Sequence, residues 1–210
     1  MAAYRLHCLG ESGNCYKVAL MLELCGIPWE PVFVDYFGGE TRGEAYRQSS
    51  NELGEVPMLE AEGRKLTQSG AILTWLAQRT GRFGGRDEAE RLEVLRWILF
   101  DNHKFTSYYA TLRFLVGIQG NADPAVVAFL RTRVLGAFQI VDRHLATRAF
   151  LLGDEPTIAD FSLVGYHYYD EATSIDRDGF PHLMAWTRRI RELPGWKAPY
   201  ELMPRGNGQA

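Results

Sequence analysis

The chain has 210 residues, 46% apolar and 23% charged, a balance typical of compact soluble domains and far from disordered or membrane compositions. A formal net charge of −3 gives no general electrostatic reason to bind nucleic acid. Apolar stretches such as residues 94–100, broken by Arg96, fall short of the roughly 20 residues that a membrane span needs. The expected partners therefore include neither nucleic acid nor membrane.

Residues 4–9 read as a strand, 14–25 as a helix closed by Gly26, and 29–34 as a second strand, together a βαβ unit. Residues 53–59 supply a third strand, and a turn at 61–64 leads into a fourth at 65–67 and a helix at 69–80. The order is β-α-β-β-β-α. A glycine- and arginine-rich stretch at 81–86 suits a linker. Beyond it only helical patterns appear, so the expected division is a domain at 1–80, a linker at 81–86 and an all-α domain at 87–210. A long helix at 87–116 carries Leu92, Leu95 and Leu99 at one-face spacing. Asp123-Pro124 caps the next helix, with the stripe Leu130, Val134, Ala137, Val141 and Leu145. Thr157 and Asp160 form a capping box, and residues 181–193 close the bundle. The cysteines Cys8, Cys15 and Cys25 form no CxxC pair, which disfavours a disulfide scaffold or a zinc site. With no secretory pattern in residues 1–9, a cytoplasmic setting is expected.

Ser12-Gly13-Asn14 lies between the first strand and the first helix, where open α/β sheets present ligand crevices. The same residues suit an ordinary helix cap. Cys15 near the positive helix end is a tempting nucleophile. However, Cys15, Val18, Leu22 and Cys25 form an apolar stripe that turns it into the core. Val56-Pro57, after Gly54-Glu55, is either a cis step that turns a backbone amide and carbonyl outward or a trans proline opening an edge strand. Gln68-Ser69 offers an amide, a hydroxyl and free backbone N–H groups suited to a carboxylate, or simply an N-cap.

Taken in order, SGNCYKVALMLELCGIPWE, GEVPML, TQSGAI and FLLGDEPTIADF resemble the cytosolic glutathione transferase family across residues 4–196. The resemblance implies an α+β thioredoxin-like domain that binds glutathione as co-substrate, followed by an all-helical domain with the second-substrate pocket. It also implies a homodimer and no metal. By matching position, Ser12 is the activating hydroxyl and Asn14 a neighbouring polar group. Glu55, Val56 and Pro57 hold the cysteinyl unit, and Gln68 and Ser69 the γ-glutamyl end, although many relatives carry an acidic residue in place of Gln68. Asn102, Phe105, Tyr108, Tyr109 and Arg113 fall on the helix that in relatives faces the thiol. The implied activity is thiolate attack on small apolar electrophiles. The alternatives are glutathione-dependent reduction of a disulfide or peroxide, and a non-catalytic glutathione-binding or regulatory protein.

Overall fold

The computed structural model describes residues 4–171 and 173–206. The chain divides into two compact units, Met1–Arg82 with Leu193–Ala210, and Phe83–Glu192.

In the first unit, β1 (Tyr4–Cys8), α1 (Gly13–Cys25) and β2 (Trp29–Phe33) form the βαβ unit, with β1 and β2 parallel. A 3-10 turn (Glu40–Arg42) and α2 (Glu44–Ser49) follow, then β3 (Met58–Ala61), β4 (Arg64–Thr67) and α3 (Ser69–Thr80). The sheet order is β2-β1-β3-β4, with both pairings of β3 antiparallel. Glu62 and Gly63 both have positive φ, 53° and 72°, the backbone that a two-residue hairpin between right-twisted strands requires. α1 is buried on nearly every side and ends at Gly26 in the left-handed conformation.

Three features depart from the sequence expectation. α2 adds a helix between β2 and β3; at six residues it is too short to show periodicity. The third strand starts at Met58 rather than at residue 53. Before it, Asn51 Oδ1 accepts from Leu53 N at 3.0 Å and Gly54 takes φ 68°, which turns the chain out of the ladder. The segment after Leu193, expected with the helical half, groups with the first unit. There Tyr16 Oη donates to the Lys197 carbonyl at 2.8 Å and Lys197 pairs with Glu23 at 2.7 Å. This segment carries α9 (Pro199–Leu202).

The second unit contains α4 (Glu88–Phe100), α5 (Thr106–Arg113), α6 (Pro124–Leu145), α7 (Ile158–Val164) and α8 (Pro181–Arg191). The helix expected at 87–116 is helical as far as Gln119, but π-helical turns at Asp101–Phe105 and Phe114–Gln119 interrupt it. At the first, the buried Asp101 carboxylate accepts from the hydroxyls of Thr106 and Ser162. α4 buries Val94, Trp97 and Ile98 and leaves Leu92, Leu95 and Leu99 exposed at 66, 48 and 58%. Asp123 caps α6 at the Ala125 amide, and the expected stripe is buried with Phe138 added. By length and composition alone α6 is long and apolar enough to cross a membrane. Here that stripe packs inside the unit, and Arg131 and Arg133 stand on the exposed side. The capping box of α7 forms, and every residue of the helix is buried.

Candidate active site

Strand register brings three of the sequence candidates to one end of the sheet. His7 pairs with Met58, so the chain leaving β1 toward Ser12 runs beside Val56-Pro57 as it enters β3. Met58 pairs with Thr67, so Gln68 and Ser69 emerge from β4 at the same end. α1 and α3 both begin there, which places the positive ends of two helices together.

Ser12 is the N-cap of α1: its Oγ accepts from the Cys15 amide at 3.2 Å, and its own amide donates to the Leu9 carbonyl at 3.2 Å. A capping hydroxyl uses one lone pair and keeps its proton to donate. The cap and the thiol partner are thus compatible roles for one side chain. No acidic residue lies in the first turn of α1 to neutralise its positive end. Asn14 is half-buried and makes no side-chain hydrogen bond to the described residues. Cys15 is fully buried, and burial pushes its thiol up to about 12, so it remains a neutral thiol at physiological pH.

The Val56-Pro57 bond is cis. Among the described residues neither the amide nor the carbonyl of Val56 has a hydrogen-bond partner, so both are available to an extended peptide. The loop before Val56 is held by residues that the sequence reading passed over. Asn51 Nδ2 and Tyr46 Oη both donate to the Glu55 carbonyl, at 2.8 and 3.1 Å. Tyr46 belongs to α2, the helix that sequence periodicity missed. Gln68 Nε2 donates to Glu55 Oε2 at 2.8 Å, tying the Val56 loop to the start of α3. Gln68 itself sits at φ 65°, uncommon for a residue with a side chain. Ser69, the first residue of α3, is buried, and its hydroxyl makes no hydrogen bond to the described residues. Its hydroxyl and the free amides of that turn can bind a carboxylate.

The five second-substrate candidates lie in differing surroundings. Phe105 and Tyr109 are 1 and 2% exposed and pack on Phe138 with ring centroids 5.2 and 5.1 Å apart. Arg113 is buried in a fork with Glu171, at 3.1 and 2.6 Å, over the Tyr169 ring at 4.0 Å. These three side chains are committed to the interior of the helical unit. Asn102 is exposed, and Tyr108 is half-buried. Tyr108 borders a hollow of about 580 Å³ with Lys104, Phe129, Arg133 and Ile140. Among the described residues no group of three or more His, Cys, Asp or Glu side chains is placed to hold a metal ion.

Comparison with known proteins shows the family of the chain. Residues 11–79 match the glutathione S-transferase N-terminal domain and residues 105–194 the glutathione S-transferase C-terminal domain. A maleylacetoacetate isomerase of Rhizobium meliloti (strain 1021) is 31% identical over 195 residues, 89% of this chain and 91% of that protein. The disulfide-bond oxidoreductase YghU of Escherichia coli (strain K12) is 25% identical, over 92% of this chain and 72% of that protein. The crystal structure of a glutathione S-transferase from Pseudomonas fluorescens Pf-5 superposes with a TM-score of 0.89 at 31% identity, covering 94% of this chain and 99% of that one. A thioredoxin-like unit followed by a helical unit is the fold that this chain shares with its relatives, and the chain belongs to the glutathione S-transferase family.

Proposed function

We propose that the chain conjugates glutathione to small apolar electrophiles, with the peptide lying along Val56 and the start of α3 and its sulfur at Ser12. The observation that carries this reading is the convergence of the Ser12 capping hydroxyl, a Val56 backbone amide and carbonyl with no partner among the described residues, and a second helix N-terminus at one sheet end. A free thiol titrates near 8.5, so only a few per cent is thiolate at neutral pH. Lowering that pKa by about two units takes roughly 2.7 kcal/mol of preferential thiolate stabilisation. A hydrogen bond from Ser12 to the anion contributes about 1.5 to 3 kcal/mol, and the end of α1 roughly 0.3 to 1. The thiolate then attacks the electrophilic carbon; a C–S bond forms and the leaving group departs with its electron pair. Glu55, Val56, Pro57, Gln68 and Ser69 hold the peptide, and Asn14 supports the sulfur. Of the second-substrate candidates, Asn102 and Tyr108 are the accessible ones.

Ser12→Ala tests this directly. Turnover of an activated aryl halide should fall about 100-fold, matching 2.7 kcal/mol, while the calorimetric Kd for glutathione changes by less than about threefold. Equal loss of both would refute thiolate activation. A second reading, attack of the same thiolate on a disulfide, is favoured by the unengaged Asn14 beside Ser12 and by the likeness to the E. coli oxidoreductase. Turnover of hydroxyethyl disulfide and of maleylacetoacetate beside the aryl halide separates the reactions. Glutathione binding with no turnover on any of them would identify a non-catalytic binder.

The exposed stripe Leu92, Leu95 and Leu99 supports a homodimer, because apolar stripes of this kind mark protein interfaces. Sedimentation should give twice the chain mass, and Leu95→Glu should shift it toward the monomer. The free cysteines suit the reducing cytoplasm.

A further inference from the structure

Residues 199–206 return from the far end of the sequence to the loop that carries Ser12. Gly10 N donates to the Pro204 carbonyl at 2.6 Å. The two carboxylate oxygens of Glu11 accept the Gly206 amide at 3.1 and 2.9 Å. A Cβ on Gly10 would stand 2.9 Å from both the Pro204 oxygen and Tyr200 Cδ1. The close approach of this segment, and not the backbone angle, therefore requires glycine there. On the other side of Ser12, Tyr16 Oη donates to the Lys197 carbonyl at 2.8 Å. The segment is itself braced: Leu202 and Met203 are buried and the Arg205 guanidinium stacks 3.9 Å from the Tyr200 ring. The C-terminal segment thus grips the chain at Gly10 and Glu11 ahead of Ser12 and at Tyr16 behind it.

We propose that this C-terminal strap is part of the thiol site, with Glu11 the positioning residue through which it fixes the Ser12 hydroxyl. The proposal rests on the reading of Ser12 as the thiol partner. A hydrogen bond to a developing anion weakens as the donor is displaced and, more steeply, as it is tilted away, so catalytic donors need a held backbone. Among the described residues Ser12 is held by the Leu9 carbonyl, by its own capping bonds and by its side chain's contact with the Cys15 thiol; the strap restrains the backbone on either side of it. Glu11 has a second consequence. A carboxylate next to a thiolate opposes its formation, and binding to the Gly206 amide gives this one a fixed partner of its own.

The test compares the full chain with Glu11→Ala, Glu11→Gln and a chain ending at Arg205, each titrated with glutathione by calorimetry. The ultraviolet absorbance of the bound thiolate is then followed against pH. Measured against Glu11→Gln, which removes the same charge, Glu11→Ala should raise the pKa of bound glutathione by about one unit, a tenfold loss of thiolate, and the shortened chain, which keeps the charge, should raise it by at least as much above the full chain. kcat/KM should fall in parallel while Kd moves less than about threefold. Glu11→Gln keeps an acceptor for Gly206 and should leave the pKa at or below that of the parent. If the parent binds glutathione and Glu11→Ala titrates as Glu11→Gln does, the strap has no role at the thiol and the proposal is overturned, with the function intact. A shift in melting temperature with no change in thiol pKa overturns it equally. If the parent binds no glutathione, the functional reading fails and this inference with it. Should the shortened chain fail to fold, the Glu11→Ala and Glu11→Gln pair carries the test.

Discussion

Loss of the Asp160 carboxylate should cost a large share of the stability. Its buried carboxylate accepts the Leu151 amide at 2.9 Å, the Thr157 amide at 2.8 Å, the Trp186 indole N–H at 2.8 Å and the Thr157 hydroxyl at 3.1 Å. One group thus ties the loop before α7, the start of α7 and the middle of α8. Burial raises its pKa against the pull of these four donors. Asp160→Ala leaves three N–H groups buried without acceptors, at about 1 to 3 kcal/mol each. Partial relaxation brings the expected loss to about 4 kcal/mol, the range for breaking one side of a buried charged network. For a chain of this size that lowers Tm by about 8 to 16 °C. Asp160→Asn should rescue part of the loss, because its Oδ1 can still accept the Leu151 amide and the Trp186 indole N–H, while its NH2 faces the Thr157 amide, another donor. Thr157→Ala, which removes only the hydroxyl of the cap, should cost about 1 kcal/mol. Thermal melts of the three variants, with hydrogen exchange at the Leu151 and Thr157 amides, measure this. A loss below about 1 kcal/mol for Asp160→Ala would refute the network as a stability determinant.

His167 is buried among Phe105, Tyr109, Phe138 and Trp186, and neither ring nitrogen has a partner among the described residues. Burial lowers its pKa to about 3; the unfolded ring titrates near 6.5 and binds a proton that the folded one refuses, so stability present above pH 6.5 is lost as pH falls toward 3. Urea midpoints should report a loss of about 2.7 kcal/mol from this group between pH 7 and 4.5, and His167→Phe should remove that share; an unchanged acid limb would refute the assignment. Cys15→Ala should keep turnover within about twofold while costing roughly 1 to 2 kcal/mol of stability, whereas loss of turnover with intact glutathione binding would reinstate Cys15 as a reacting group. Gly54→Ala places a Cβ 2.6 Å from Arg47 Nη2 and 2.7 Å from the Thr41 carbonyl at φ 68°; the strain displaces the Val56 loop, and the glutathione Kd should rise about tenfold or more, with an unchanged Kd counting against Val56 as a peptide contact.

Sequence pattern carried the elements whose causes are local. Ser12 and Gly26 bracket α1, Asp123-Pro124 opens α6, and the α7 box forms between residues three apart, all interactions within one or two turns. It failed where the cause was distant or two-sided. Leu92, Leu95 and Leu99 are spaced like a core face, yet Val94, Trp97 and Ile98 are buried instead. A helix with apolar residues on two faces does not say which one its own chain covers. The return of the C-terminal segment depends on contacts such as Tyr16 to Lys197, 181 residues apart, which no window along the chain contains.

The site shows the same division at the level of single residues. Ser12, Val56 and Ser69 stand out in the sequence because each is at a punctuation point, a cap or an X-Pro step, and register brings these three points to the same sheet end. Phe105, Tyr109 and Arg113 were chosen by their place on a helix, and helical position does not reveal that Phe138 and Glu171 claim those side chains from other elements. Cys15 shows the converse: its stripe with Val18, Leu22 and Cys25 pointed inward, and it is fully buried with its thiol pushed up. A periodic pattern thus excludes a residue from chemistry more securely than it assigns one. Assignment at this sheet end depends on which polar groups the fold leaves without partners, and among the described residues the Ser69 hydroxyl, the Asn14 side chain and the Val56 backbone are three of them.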